Sequence, residues 1–233
     1  MELKGKTALI TGASKGLGKE IALRFASEGC NLILNSRGKD SLERVAEECK
    51  RMCIFCETFA GDITENRTID SLSEISKRKG LDILFNNAGM IIIQPSEKNT
   101  DKEMRDIFAL NVLAHINLTQ KLIPLLKERG EAQIVNIISN SGLEGRPNMS
   151  LYCSTKFALR GYTDSLRKEV NKHGIKVLGV YPGGIRTNLF DEIKDYNMSG
   201  FMDPKEVAQI IVDACKLSKG ASVDDIVVNR TNK

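Results

Sequence analysis

No stretch of the 233 residues approaches the roughly 18 apolar residues in a row that a membrane-spanning helix needs, so no membrane segment is expected. Charge of one sign is also scarce. The net charge is +4, with basic residues scattered among acids, so the concentrated basic footprint of a nucleic-acid binder is missing and small-molecule partners are expected. The opening residues Met1–Lys6 lack the apolar core and cleavage site of a secretory signal, from which a cytoplasmic location is expected. No repeat, low-complexity tract or Pro/Gly/Ser-rich linker divides the chain, and its length suits one domain over residues 1–233. Histidine is limited to His115 and His173, neither within a partner motif. They read as a helix-face residue and a cation at a helix C-terminus, and no metal site is expected.

Six cysteines without a secretory signal read as free thiols. Cys49-x3-Cys53-x2-Cys56 has the spacing of an iron–sulfur site in radical enzymes; the alternative is that all three serve as small buried hydrophobes. Cys49 ends an apparent helix while Cys53 and Cys56 fall in the strand-like run Met52–Cys56. Successive layers of sheet and helix would then hold the thiols apart.

What is present is an alternation. Short β-branched runs are each followed by a longer stretch of helical period, and several runs are apolar throughout, as strands covered on both faces must be. The strands are predicted at 6–10, 31–35, 53–58, 82–86, 133–138, 175–181 and 225–228. Helices are predicted to begin near Gly16, Asp40, Glu65, Asp101, Ser150 and Pro204, the last with Asp203 as N-cap and proline in the first helical position. The two longest span 101–129, bent or restarted at Pro124, and 151–173; their outer faces are candidate oligomer surfaces. The fold class expected is α/β: a single-domain, doubly wound Rossmann-type sheet of about seven mainly parallel strands, with helices on both faces. Residues 183–203 form the longest stretch without period, where substrate contacts and a lid are to be sought.

After the first strand comes Thr11-Gly12-Ala13-Ser14-Lys15-Gly16-Leu17-Gly18, then an amphipathic helix. Glycines at 12, 16 and 18 between strand and helix let the backbone turn tightly and bring a pyrophosphate against the helix N-terminus. At the end of the second strand NAD enzymes usually carry an acid for the adenosine ribose. Here the chain reads Asn35-Ser36-Arg37, and Arg37 with Lys15 would attract a 2′-phosphate, which points to NADP(H). Asp62, followed by Ile63, is placed to meet the adenine edge.

Tyr152 and Lys156 sit four apart on a predicted helix and so share a face. A free tyrosine titrates near about 10; a neighbouring ammonium and the oxidised nicotinamide's charge would lower that value toward useful acid–base chemistry. Tyr152 would then protonate a carbonyl oxygen in reduction, Ser139 would hold that oxygen, and Lys156 would bond the nicotinamide ribose.

The glycine turn, Asn86-Asn87-Ala88-Gly89, Asn111, the run Ile134–Ser139, Tyr152-x3-Lys156 and Pro182-Gly183-x3-Thr187 resemble, in order and spacing, the short-chain dehydrogenase/reductase family over nearly the whole chain. The resemblance implies Ser139, Tyr152, Lys156 and Asn111 as catalytic residues, Asn111 holding a water that feeds protons through Lys156. It places Asn87, Ala88, Gly89, Pro182, Gly183, Ile185 and Thr187 beside the cofactor. It also implies a homodimer or homotetramer built through the two long helices.

Within the family the chain is similar to 3-oxoacyl-carrier-protein reductases and to NADP-dependent 3-hydroxy-acid dehydrogenases. Arg129 and Lys172 could dock an acidic carrier protein, or simply sit as cations at helix ends. The ending Ala221–Thr231 looks like the hydroxy-acid branch, where Arg186 could pair with a substrate carboxylate or face solvent. The substrate expected is a 3-oxoacyl thioester or a 3-oxo/3-hydroxy acid, with other small ketones or aldehydes as the alternative. A non-catalytic NADPH-binding sensor is the reading from another class; it has no need of the acid–base pair.

Overall fold

The computed structural model describes residues 1–191, 193 and 197–231. Seven strands, β1 (Thr7–Thr11), β2 (Asn31–Ser36), β3 (Cys56–Ala60), β4 (Ile83–Asn86), β5 (Ala132–Ile137), β6 (Ile175–Pro182) and β7 (Asp225–Val228), form one sheet in the order β3-β2-β1-β4-β5-β6-β7. Every pairing is parallel. Parallel neighbours require crossovers, and the helices supply them: α1 (Gly16–Ser27), α2 (Lys39–Lys50), α3 (Asn66–Lys79), α4 (Asp101–Phe108), α5 (Ala114–Lys127), α6 (Ser150–Val170) and α7 (Pro204–Cys215).

Alternation along the strands divides the core. Ala8 and Ile10 of β1 face a cluster with Ile21 and Phe25 of α1, Leu42 of α2 and Val207 of α7. Leu9 between them faces the other layer, with Leu72 of α3, Leu118 of α5 and Leu166 of α6. The sheet is thus covered on both sides, as its apolar strands require. Helix starts follow local chemistry: Asp203 accepts from the Lys205 N–H at 2.8 Å ahead of Pro204, and Thr100 and Glu103 form a reciprocal capping box at α4.

Two local expectations are corrected. The long helix does not restart at Pro124, which lies inside α5; it opens instead into a π turn at Ala109–Leu113, around Asn111. And β3 begins at Cys56 rather than at residue 53, because Cys53 takes a positive φ of 60° in an exposed turn while Asn31 Oδ1 accepts from the Phe55 N–H at 3.0 Å. The expected separation of the thiols is also only partial. Cys49 on α2 and Cys56 on β3 are both buried and close enough to influence each other's thiol, leaving Cys53 on the surface. Among the described residues no group of three His, Cys, Asp or Glu side chains could hold a metal ion, and no helix is long and apolar enough to cross a membrane.

Strand order reverses between β1 and β4. At such a switch point the loops leaving the carboxyl ends of the strands diverge and open a crevice. In the stretch 183–203, where residues 192 and 194–196 lie outside the described residues, the chain folds back through a bridge between Ile185 and Met202 to wall one side of that crevice.

Candidate active site

The crevice is a cavity of about 820 Å³. The glycine turn forms its floor at the β1 end. Gly12 and Gly16 have φ of +65° and +58°, a region that penalises a side chain, and a Cβ on Gly18 would stand 2.4 Å from the Gly12 carbonyl oxygen. The first two permit the turn and the third lets α1 pack against it. Lys15, the N-cap of α1, provides no side-chain acceptor, so the first-turn N–H groups at Gly16, Leu17 and Gly18 remain for an anion at the cavity wall. A dinucleotide pyrophosphate fits this cradle.

Ser14, Lys15, Arg37, Asp62 and Ile63 surround the end of the cavity where the adenosine of a cofactor is expected. Lys15 and Arg37 are exposed and, among the described residues, make no ion pair. The carboxylate of Asp62 accepts from the Thr64 N–H and hydroxyl at 2.9 and 2.8 Å, which holds it in a tight turn after β3. Across the cavity, Thr11 Oγ1 accepts from the N–H groups of Asn87 and Ala88, and Asn87 Nδ2 donates to the Thr11 carbonyl at 2.8 Å. These bonds lock the ends of β1 and β4 together beneath the cofactor region. Gly89, Pro182, Gly183, Ile185 and Thr187 complete the wall, so the structure brings all the residues expected at a cofactor into one cavity.

Ser139, Tyr152 and Lys156 line its inner end. Tyr152 and Lys156, one turn apart on α6, are only 6% and 5% exposed, and this burial acts on both. It pushes the Tyr152 phenol up to about 12, against a smaller downward pull from the Ser139 hydroxyl, and brings the Lys156 ammonium down to about 8. The expected lowering of the tyrosine is therefore corrected for the protein by itself. Lys156 Nζ donates to the Ile137 carbonyl at 3.1 Å and lies 5.6 Å from the Tyr152 ring centre, so its charge does not offset the loss of water around the phenol.

Asn111 is completely buried and does not line the cavity. Its Nδ2 donates to the Met90 carbonyl at 2.9 Å and to Thr155 Oγ1 at 3.1 Å, and its Oδ1 accepts from the Met90 N–H at 2.9 Å. The side-chain amide thus clamps the segment after β4 to α6. His115, one turn further on, is fully buried; its Nε2 meets the Ala88 carbonyl at 2.8 Å, and burial holds its pKa down at about 3, so it stays neutral. His173 sits at the end of the short turn after α6.

Ser139 has φ 114° and ψ 151°, conformational space normally left to glycine. Such a backbone costs on the order of 1–3 kcal/mol and is held here by β5 and the turn Asn140–Gly142. Ser139→Gly is expected to release part of that strain. Net of glycine's own entropy loss, stability should rise by about 1 kcal/mol, or about 2–4 °C in Tm, while turnover falls. Thermal unfolding against Ser139→Ala checks this, since alanine keeps the strain; equal Tm values for the two variants would refute it.

Three cations that the sequence left open between substrate or carrier contact and solvent or helix-end positions are now placed. Arg186 is exposed and absent from the cavity wall, its Nη2 reaching the Phe201 carbonyl at 3.4 Å. Arg129 is committed to the fold, its Nε 2.9 Å from the buried Asp82 carboxylate at the start of β4. Lys172 lies exposed in the turn after α6. Conversely, Arg146, Met149, Phe190, Phe201 and Arg230 line the cavity although no motif marked them. Phe190 and Phe201 fall in the stretch 183–203 where substrate contacts were to be sought; Arg146, Met149 and Arg230 come from a loop and the tail of β7, where spacing carries no signal.

The profile described as short chain dehydrogenase matches residues 6–197. An uncharacterized oxidoreductase of Staphylococcus aureus strain N315 is 30% identical over 233 residues, covering 97% of both chains. The structure of a 3-ketoacyl-(acyl-carrier-protein) reductase from Brucella melitensis complexed with NADH superimposes with a TM-score of 0.90 at 30% identity, covering 97% of each chain. That of L-sorbose reductase from Gluconobacter frateurii, complexed with NADPH and L-sorbose, does so with a TM-score of 0.89 at 26% identity, covering 99% of this chain and 98% of that one.

Proposed function

Since the chain belongs to the short-chain dehydrogenase family and is an oxidoreductase acting on alcohol and carbonyl groups, we propose that it uses NADP(H) to interconvert a carbonyl and a secondary alcohol through Tyr152, Ser139, Lys156 and Asn111. The observation that carries this reading is the meeting of Ser139, Tyr152 and Lys156 in the same cavity as the uncapped N-terminus of α1. A nicotinamide bound there would supply the hydride. In the direction of reduction, Ser139 Oγ donates to the carbonyl oxygen and Tyr152 delivers the proton that turns it into a hydroxyl. Lys156, whose Nζ donates to the Ile137 carbonyl in the protein by itself, would hold the ribose hydroxyls of the bound cofactor and bring its charge toward the phenol. Asn111 acts through position: it fixes Met90 and Thr155 around Lys156, and any water it serves would be held by its backbone rather than its fully engaged Nδ2. Lys15 and Arg37 favour the 2′-phosphate of NADP(H) over a bare ribose.

The substrate favoured is a 3-oxoacyl thioester or a 3-oxo/3-hydroxy acid, by likeness to the ketoacyl reductase of Brucella; the sorbose reductase keeps other ketones in play. NADPH oxidation followed optically against acetoacetyl thioesters, 3-oxo acids, diketones, ketoses and aldehydes tests both levels. Turnover on none of them, with NADPH still bound tightly, would move the protein to the sensor class. Assembly is proposed as a homodimer or homotetramer, supported by the exposed Met104 and Leu113 on the α4–α5 rod and Phe157 on α6. Light scattering that reads a monomer at micromolar concentration would refute it. A carrier-protein partner has less support, because Arg129 is taken up by Asp82.

A further inference from the structure

The inner end of the cavity carries a cation that no protein carboxylate neutralises among the described residues, and we propose that this residue, Arg230, binds a carboxylate on the substrate. The inference rests on the carbonyl–alcohol reading above and narrows its substrate to a short 3-oxo or 3-hydroxy acid.

Placement comes from the sheet edge. Pro182 pairs with Val228 in the β6–β7 ladder, and the Gly183 N–H donates to the Val228 carbonyl at 2.7 Å, so Asn229 and Arg230 continue alongside Gly183 and Gly184. A Cβ on Gly183 would stand 3.3 Å from Asn140 Nδ2 and 3.7 Å from the Asn229 Cα. The residue after Ser139 and the residue before Arg230 therefore flank one glycine. Side chains then orient the guanidinium: it lies 5.0 Å from the centre of the Phe201 ring, which packs edge-on against Phe190 at 5.4 Å, and both rings line the cavity.

Of the other charges on the wall, Lys15 and Arg37, also unpaired among the described residues, stand at the end of the cavity formed by the glycine turn and β2, and Lys156 donates to the Ile137 carbonyl. Arg146 pairs with Glu144 at 2.6 Å, Asp106 with Lys102, and Asp62 is turned into its own loop at the far end. Arg230 has no such partner among the described residues. A guanidinium is always charged, weakly hydrated and shaped for bidentate pairing with a carboxylate. Its place beside the turn that follows Ser139 sets the length of the substrate. The anion must lie within a few bonds of the reacting carbonyl, as the carboxylate of a 3-oxo acid does. The phosphates of a thioester lie a whole pantetheine arm away. The role once open to Arg186 thus falls to Arg230.

The test compares acetoacetate with methyl acetoacetate, which differ at this end by the charge and one methyl group. The wild type is expected to prefer the acid, and Arg230→Ala to lower the acid-to-ester ratio of kcat/KM by roughly 10- to 100-fold through KM, the range of a lost charged hydrogen bond. Arg186→Ala, outside the cavity, serves as the control and should leave the ratio alone. A ratio unmoved by Arg230→Ala, or a loss shared equally by acid and ester, overturns the proposal. So does a weaker Kd for NADPH in the variant, which would assign the arginine to the cofactor. Calorimetric binding of acetoacetate to the NADP-bound protein separates the two levels. Binding lost in Arg230→Ala without turnover in the wild type would keep the subsite and refute the reaction.

Discussion

Tyr152→Phe is expected to lower kcat for carbonyl reduction by roughly 10²- to 10⁴-fold, the usual share of a positioned general acid. Phenylalanine keeps the ring in its buried place on α6 and removes only the hydroxyl, so the fold and the NADPH site should survive. NADPH fluorescence titration is expected to give nearly the wild-type Kd. The direction of the pKa matters to the mechanism. Burial raises the phenol to about 12, so at neutral pH Tyr152 holds the proton that reduction consumes. Alcohol oxidation needs the deprotonated form and should speed up as pH rises, helped by the positive charge of the oxidised nicotinamide. A variant that retains more than a tenth of wild-type kcat would remove Tyr152 from the proton transfer.

Arg37→Asp is expected to reverse the cofactor preference. The wild type should favour NADPH, because Arg37 and Lys15 offer two cations to the 2′-phosphate at a corner where the end of β2 carries no acid. A charged hydrogen bond to phosphate contributes about 1.5–3 kcal/mol, and aspartate both removes it and repels the phosphate while accepting from a free ribose hydroxyl. The ratio of kcat/KM for NADPH over NADH should fall by roughly 10²- to 10³-fold, read by running both cofactors in parallel. Lys15→Ala should move it less, since it only removes an attraction. A wild type that prefers NADH would overturn the roles of both cations. The ketoacyl reductase of Brucella holds NADH in its structure, so likeness of fold does not decide this point.

Much of the fold was legible because its signals are local. Apolar runs with β-branched residues mark buried strands, and Asp203-Pro204 marks the start of α7, each within a few residues of sequence. The discrepancies occurred where geometry broke the local rule. Cys53 looked like strand by composition, but a positive φ turns the chain there and Asn31 caps the incoming strand. Pro124 looked like the weak point of the long helix, yet the opening lies at Asn111, whose side chain is pulled toward Met90 and Thr155 by contacts distant in sequence.

By itself the sequence determined the family, the doubly wound sheet, the glycine turn, the cationic corner after β2 and the Tyr152–Lys156 pair, because each rests on residue types at fixed short spacings. Tertiary structure decided the rest. It set the phenol's pKa upward rather than downward, since desolvation depends on everything packed around a group. It turned Ser139 into glycine's conformational territory, committed Arg129 to Asp82 and left Arg186 outside the cavity. It also brought Asn229, at the end of the last strand, and Asn140, next to Ser139, to either side of Gly183, a meeting of residues some ninety positions apart that no spacing records and that the β6–β7 ladder creates.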